Sequence, residues 1–322
     1  MTTQNVCALV ALLASLAAAG TAAQGYPAKP VRIVVPFGTG GGTDNLVRIF
    51  APRLGEFLGQ QVVVDNRPGA SAMIGTELVV RAAPDGYTLV VTDTSLTVNP
   101  SLFRKMPYDT LKDLAPVILA ASAPVILVSH PSLPVKSVPE LVALARARKG
   151  ELNYASGGIG ASTHLGGELL KQEAKIELTH VPYKGTGPAI ADVVAGQVTV
   201  MFSGISSAKQ FVQAGRMRAL AVTGERRNPA MPDVATFKEI GLPGVDAGTY
   251  WGALAPAATP RDLIARINRE IERALQVPEV KSRLVDLGYE VIGGPPERYA
   301  DNIRIELAKW DRVVKAAGVK LD

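Results

Sequence analysis

The sequence predicts an α/β protein made of two lobes. Three observations carry that prediction. β-branched runs alternate with small-residue turns and with apolar residues at helical spacing. The series runs twice, with a break near Ala121 to Pro124. The 322 residues also exceed the roughly 250–300 at which a single core stops growing. A composition of 47% hydrophobic and 20% charged residues is globular and excludes a disordered chain, a collagen and a coiled coil. Net charge is 34 − 29 = +5, with no Lys/Arg block and no interleaving of basic and aromatic residues. That excludes a nucleic-acid groove and leaves a mildly basic surface that favours anionic ligands.

Val6 to Ala19 is an uncharged apolar run of 14 residues, too short to span a bilayer and suited to the core of an export signal. Small residues at Thr21 to Ala23 place cleavage after Ala23, although Met1 to Asn5 lack the usual basic residue. No other run reaches the roughly 18 apolar residues of a membrane span, so the expectation is an exported, soluble chain with a signal peptide at 1–23. The only cysteine, Cys7, lies in that leader, so the remaining 322 − 23 = 299 residues offer no disulfide, thiol nucleophile or cysteine metal site.

In the first lobe, Val31 to Phe37 reads as a strand, Gly38 to Gly42 as a turn, and Leu46, Val47, Phe50, Leu54 and Leu58 as the buried stripe of a helix. Gln61 to Val64 is a second strand, Ser71 to Arg81 a helix, and Tyr87 to Thr92 a third strand after the Pro84-Asp85-Gly86 turn. The series restarts with a strand at Val125 to Val128 and a helix capped by Ser137 and Glu140, with Pro139 in its first turn. Strands at Asn153 to Ser156, Leu178 to Tyr183, Val198 to Phe202 and Met217 to Val222 follow, separated by helices. Such alternation predicts parallel sheets. Arg227 to Gly248 reads as a crossover to a strand at Trp251 to Ala255. A helix from Pro260 to Leu275 capped by Thr259 comes next, then a last helix from about Pro296 to Ala317 that ends at Gly318. If this tail packs back on the first lobe, two chain crossings form a hinge over a cleft.

Three turns carry the candidate chemistry. Phe37 to Asp44 presents backbone N–H groups at a helix N-terminus, a disposition that binds anions. It has no P-loop lysine, and a dinucleotide site is disfavoured because Thr43 stands where a third glycine is needed and Asp44 would oppose a pyrophosphate. Thr43 and Asp44 equally suit a helix cap and a first-turn acid that fix the turn without touching ligand. Ser156 to His164 offers glycines and three hydroxyls to a carboxylate. A nucleophilic Ser162 beside His164 is the competing reading, but the segment lacks the last glycine of a nucleophile elbow and has no identifiable acid partner. His130, His164 and His180 are scattered, without zinc-site spacing, and favour structural hydrogen-bonding roles. In the third turn, Val181 to Gly187, Lys184 suits either a ligand acid or solvent. Phe202 and Trp251 suit the core by default and a cleft wall as the alternative.

Ordered along the chain are Tyr26-Pro27-x-Lys29-Pro30, Val35-Pro36-Phe37 with the Gly40 to Asp44 turn, Asn66-Arg67-Pro68-Gly69-Ala70 and Pro84-Asp85-Gly86-Tyr87-Thr88. His180-Val181-Pro182-Tyr183-Lys184-Gly185, Ala255-Pro256 and Thr259-Pro260 complete the set. With these motifs the chain, from Tyr26 to about Gly318, resembles the Bug-type solute-binding proteins of tripartite tricarboxylate transporters. The resemblance implies a type II periplasmic binding-protein fold: two Rossmann-like lobes joined by a two-crossing hinge, 24–122 with 225–322 forming the first and 123–224 the second. It also implies a monomeric periplasmic receptor, not an enzyme, that takes a small di-, tri- or aromatic carboxylate by backbone amides and hydroxyls. That receptor needs no cofactor or metal and delivers its ligand to the membrane subunits of the transporter. The candidate ligand-binding residues so implied are Phe37, Thr39, Gly41, Gly42, Asp44, Thr94 and Ser95 from the first lobe. From the second come Ser156, Gly158, Gly160, Ser162, His164, Tyr183, Lys184 and Gly185, with Phe202 and Ser203 after them. Selection among carboxylates is expected in Thr92 to Thr97, Phe202 to Ser207 and Ala247 to Trp251. An exported serine hydrolase using Ser162 and His164 and an orphan ligand sensor are the alternative functions.

Overall fold

The computed structural model describes residues 25–183 and 185–318. The expected leader at 1–23 and the candidate Lys184 lie outside the described residues. The first half keeps the expected rhythm: β1 (Val31–Val35), α1 (Gly42–Leu58), β2 (Val62–Asn66), α2 (Met73–Val80) and β3 (Thr88–Thr92), with β1 parallel to both β2 and β3. Leu46, Val47, Phe50, Leu54 and Leu58 of α1 are all buried, as their spacing requires. The helix stops at Gly59, which adopts the left-handed conformation (φ 67°). α3 (Ser95–Leu102) was not foreseen; it is short and carries Pro100.

β4 (Leu114–Ser129) runs for 16 residues through the point where the sequence suggested a break. The break lies in the strand–helix rhythm, while the strand itself is continuous. Beyond it come α4 (Val138–Ala147), whose Ser137 cap accepts the Glu140 amide at 3.3 Å, then β5 (Asn153–Ser156), α5 (Ser162–Ala174) and β6 (Thr179–Pro182). α6 (Thr186–Val194), β7 (Val200–Gly204), α7 (Ile205–Gln213) and β8 (Arg218–Val222) finish the second half, with β5 parallel to β6 and β7. The tail holds β9 (Gly248–Pro256), α8 (Arg261–Leu275), α9 (Pro278–Asp286), β10 (Glu290–Val291) and α10 (Pro296–Ala317). Thr259 does not cap α8: its hydroxyl is buried without a hydrogen-bond partner and Pro260 occupies the cap position. α10 closes on Gly318 in the left-handed conformation, as expected.

The ten strands form one sheet, in the order β2-β1-β3-β9-β4-β7-β5-β6, with β8 and β10 also paired to β4. The expectation of purely parallel sheets is corrected here. β9 lies antiparallel to β3 and β4, and β4 is antiparallel to β7 and β8. These connecting strands pass between the halves and back, so they do not follow the crossover geometry that makes neighbours parallel. Leu114 to Pro124 of β4 pair with β9, and Val125 to Ser129 with β7. One strand thus belongs to both halves of a two-lobed fold.

The cores follow the same division with two bridges. Val31, Ile33, Leu46, Phe50, Ile118, Trp251 and Ile271 pack in one cluster. Leu127, Tyr154, Leu165, Phe202 and Phe237 pack in another, which also takes in Val98 and Leu102 of α3 and Trp310 and Val313 of α10. Tyr299 and Ile303 of α10 instead join Val34, Val90 and Leu254. The last helix therefore packs against both halves of the sheet.

Candidate functional site

Between the halves lie two adjoining cavities. The outer one, about 520 Å³, is walled on one side by Phe37, Ser71, Asp93, Thr94, Ser95 and Asn99 and on the other by Gly157 to Ser162, Pro182 and Tyr183. The inner one, about 160 Å³, lies against the Ala123-Pro124-Val125 stretch of β4 and is lined by Gly42, Thr163, Thr186, Ser206, Ser207, Thr249, Trp251 and Tyr289 among others. Ser162 borders both cavities, and its Oγ lies 2.9 Å from Oγ1 of Thr249.

Four helices begin at the inner cavity: α1 at Gly42, α5 at Ser162, α6 at Thr186 and α7 at Ile205. Their cap residues are Gly41, Ala161, Gly185 and Gly204, and none makes a side-chain capping hydrogen bond. Each first turn carries backbone donors and the positive end of a macrodipole, which together attract an anion. No Asp, Glu, Lys, Arg or His lines this cavity among the described residues.

The first turn is held from behind. Asp44, 2% exposed, accepts from the Gly40 amide (2.9 Å), Arg48 Nε (2.9 Å) and Asn66 Nδ2 (2.9 Å). Burial alone would raise its carboxyl, but the bonds from Arg48, Gly40 and Asn66 outweigh that and hold it below the ordinary range. The cap is Gly41, and the Thr43 hydroxyl instead accepts from Trp251 Nε1 at 3.0 Å. Tyr289 donates to the Gly42 carbonyl at 2.8 Å. A Cβ on Gly42 would stand 3.1 Å from the Trp251 ring, so glycine keeps the inner cavity open.

The second turn rests on a buried polar network. The Gly157 amide donates to Thr163 Oγ1 (3.0 Å), the Gly158 amide to Ser156 Oγ (3.2 Å) and the Gly160 amide to His164 Nδ1 (3.1 Å). Ser156 Oγ also meets His180 Nε2 at 2.7 Å. The rings of His164 and His180 stack with centroids 4.0 Å apart, and Tyr154 stacks on His180 at 4.8 Å. Burial pushes His164 down to about 4 and His180 down to about 3, so both are neutral at pH 7. Gly160 has φ 82°, and a Cβ there would come within 2.3 Å of Leu102, so the turn seats directly on α3.

Of the residues expected from sequence, Phe37, Thr94, Ser95, Gly158, Gly160, Ser162 and Tyr183 line the outer cavity, and Gly42 and Ser162 the inner one. Gly41 and Gly185 are helix caps at the inner cavity, and Thr39 is exposed in the first turn. Asp44, Ser156 and His164 sit behind the turns and support them. Phe202, 1% exposed, stacks against Phe237 in the second core, and Ser203 beside it is fully buried. Sequence reasoning missed Ser71, Asn99, Thr186, Leu287 and Tyr289, which reach the cavities only through tertiary packing. Ser162 and His164 do not pair: Ser162 faces Thr249, while His164 Nδ1 is taken by Gly160 and Nε2 lies 3.9 Å from Glu168. No group of three or more His, Cys, Asp or Glu residues that could hold a metal occurs among the described residues, and none of their helices is long and apolar enough to cross a membrane.

Two lobes that share a strand, with cavities of amides, hydroxyls and helix N-termini between them, define a solute-binding protein. More specifically, the chain belongs to the tripartite tricarboxylate transporter family receptors, whose family model matches residues 46–319. It is 41% identical over 290 residues to the UPF0065 protein in the tcbD-tcbE intergenic region of Pseudomonas sp. (strain P51), covering 90% of this chain and 86% of that one. Rpa4515 of R. palustris, solved with adipate, superposes with a TM-score of 0.83 at 36% identity, covering 92% of this chain and 99% of the other. MatC of Rhodopseudomonas palustris, solved with bound malate, gives 0.79 at 34% identity over 90% and 100%.

Proposed function

We propose that this protein is a periplasmic receptor that captures a small carboxylate between its lobes and delivers it to the membrane subunits of a tripartite tricarboxylate-type transporter. The observation that carries the proposal is the meeting of four uncapped helix N-termini at one cavity that no charged side chain lines among the described residues. Amide donors there are fixed before the ligand arrives, and in a cavity shielded from water they replace its hydration shell without reorganisation. The hydroxyls of Ser162, Thr163, Thr186 and Ser206 add neutral donors to the same centre. The adipate and malate bound to two solved relatives support the same ligand class.

In this reading residues 1–23 direct export and are removed, and the mature chain works as a monomer. The lobes divide as 24–122 with 225–322 and 123–224, with Phe237, Val245 and Ala247 of the second crossing packed against the second lobe. Capture closes the hinge across Ser162 and Thr249, and the ligand leaves chemically unchanged. The candidate contacts are the cavity-lining residues, with Asp44, Ser156 and His164 positioning the turns.

The test is thermal unfolding of the mature protein, refolded to remove copurified ligand, against aliphatic and aromatic carboxylates. Binding at 100 times Kd stabilises the native state by about 2.7 kcal/mol and raises the midpoint by roughly a few degrees. A selective rise with one class is expected; a flat response to every carboxylate removes the proposal.

A further inference from the structure

Three consecutive residues before α2, Ala70, Ser71 and Ala72, hold the left-handed conformation, with φ of 46°, 51° and 73°. Residues with a Cβ rarely adopt it, whereas glycine does so without strain. Such strain persists only where the surroundings fix it, and it gathers at ligand sites. Two side chains fix it here. Asn99 Nδ2 of α3 donates to the Ser71 carbonyl at 2.7 Å, and Thr76 Oγ1 donates to the Ala72 carbonyl at 2.9 Å. Ser71 and Asn99 both line the outer cavity.

A carbonyl oxygen only accepts, so the Asn99 nitrogen has to face Ser71 and the Asn99 oxygen points away from it. Asn99 is 2% exposed, and its Oδ1 takes no hydrogen bond from the described residues without being sealed off, so the oxygen opens on the cavity that the residue lines. The Ser71 hydroxyl, exposed on the same wall, likewise bonds to none of the described residues. Neither atom is used in holding the turn. An uncommitted acceptor beside a hydroxyl, which both donates and accepts, is the complement of an alcohol: the ligand O–H donates to Asn99 Oδ1, and its oxygen accepts from Ser71. A ligand without a donor there displaces water from Asn99 Oδ1 and leaves that acceptor unpaired, which is how a polar site rejects an unsubstituted analogue. Resting on the carboxylate reading above, we infer that the ligand is a hydroxy carboxylate, with its carboxylate at the four helix N-termini and its hydroxyl between Ser71 and Asn99. Serine rather than glycine stands at this left-handed position because its hydroxyl is used.

The experiment is calorimetric titration of the ligand-stripped mature protein with matched sets of a hydroxy acid, its unsubstituted parent and its amino analogue. The sets are malate, succinate and aspartate; 4-hydroxybutanoate, butanoate and 4-aminobutanoate; 6-hydroxyhexanoate, hexanoate and 6-aminohexanoate; and 4-hydroxybenzoate, benzoate and 4-aminobenzoate. In at least one set the hydroxy member is expected to bind about tenfold more tightly than both others. Ser71→Gly relieves the strained turn and removes the hydroxyl, so the thermal midpoint of the ligand-free protein should rise by roughly 1–3 °C while the preference falls below about threefold. Ala70→Gly relieves the same turn and leaves both polar groups, so it should raise the midpoint and keep the preference. Asn99→Ala also frees the turn and so acts on every member of a set; the ratio within the set is what is read, and it should shrink as in Ser71→Gly. No set that favours its hydroxy member, or an unchanged ratio in either Ser71→Gly or folded Asn99→Ala, overturns the hydroxyl subsite and leaves the carboxylate site standing. Binding of none of the acids, the unsubstituted parents included, overturns the carboxylate site itself.

Discussion

The Gly160 amide donates to Nδ1 of His164 at 3.1 Å, so the second glycine turn is pinned to an imidazole that has to stay neutral. Protonating Nδ1 removes the lone pair that accepts this bond. The turn that faces the cavity is thereby tied to a titratable group that is only 2% exposed.

Stability should fall in acid for this reason. His164 is lowered from 6.5 to about 4 and His180 from 6.5 to about 3, both chiefly by burial. The unfolded chain therefore binds more protons than the native one as pH drops below about 6.5, and the stabilisation present at neutral pH is lost on the way down to the native values. For His164 the upper bound is on the order of 3 kcal/mol. Thermal midpoints should be flat above about pH 7 and decline below it. In His164→Gln, whose amide oxygen can still accept from Gly160, that decline should be shallower; an identical pH profile would take His164 out of the account.

Removing the Asp44 carboxylate should damage both stability and binding. Asp44→Ala leaves the Gly40 amide, Arg48 and Asn66 without their common acceptor. Loss of a buried, multiply bonded carboxylate costs about 2–4 kcal/mol. Denaturant unfolding is expected to show that loss with an unchanged m-value, and carboxylate affinity should weaken because the first turn loses its brace. Asp44→Asn retains one acceptor oxygen and should lie between the two.

Ser162 and Thr249 should behave as a coupled pair. Ser162→Ala and Thr249→Ala are each expected to weaken ligand binding by roughly 1 kcal/mol, and the double variant by less than the sum, since either change already breaks the 2.9 Å bond. A full sum would mean that the bond plays no part in closure. Ester hydrolysis should stay at background in the wild type and in Ser162→Ala alike, because Ser162 lacks the histidine contact that activates a nucleophile.

What was legible in the sequence was whatever short-range pattern controls. The apolar stripe of α1, the Ser137 cap, β5 and the Gly318 stop all follow from local spacing and turn chemistry. The glycine turns were equally plain, since an uncapped helix start next to glycines is a local feature. β4 was only partly visible because Pro116 and Pro124 interrupt its pattern, and those prolines are tolerated through register shifts near Pro116 and the passage between halves at Pro124. Asn99 and Tyr289 could not be found because their position at the cleft depends on partners far away in sequence, Ser71 for the one and Gly42 for the other. Asp44 shows the limit most clearly. Its place in the first turn was evident, but only the bonds from Arg48 and Asn66 reveal that it faces inward.

The shared strand also bears on how such a receptor diversifies. Because Leu114 to Ser129 supplies ladder partners on both sides of Pro124, a genetic exchange with a breakpoint inside it would bring mismatched pairing to both halves of the sheet at once. An exchange that preserves pairing would have to keep this strand with its partners in both halves. New ligand preferences then arise more readily from single substitutions on the cavity wall than from recombining lobes of different parentage.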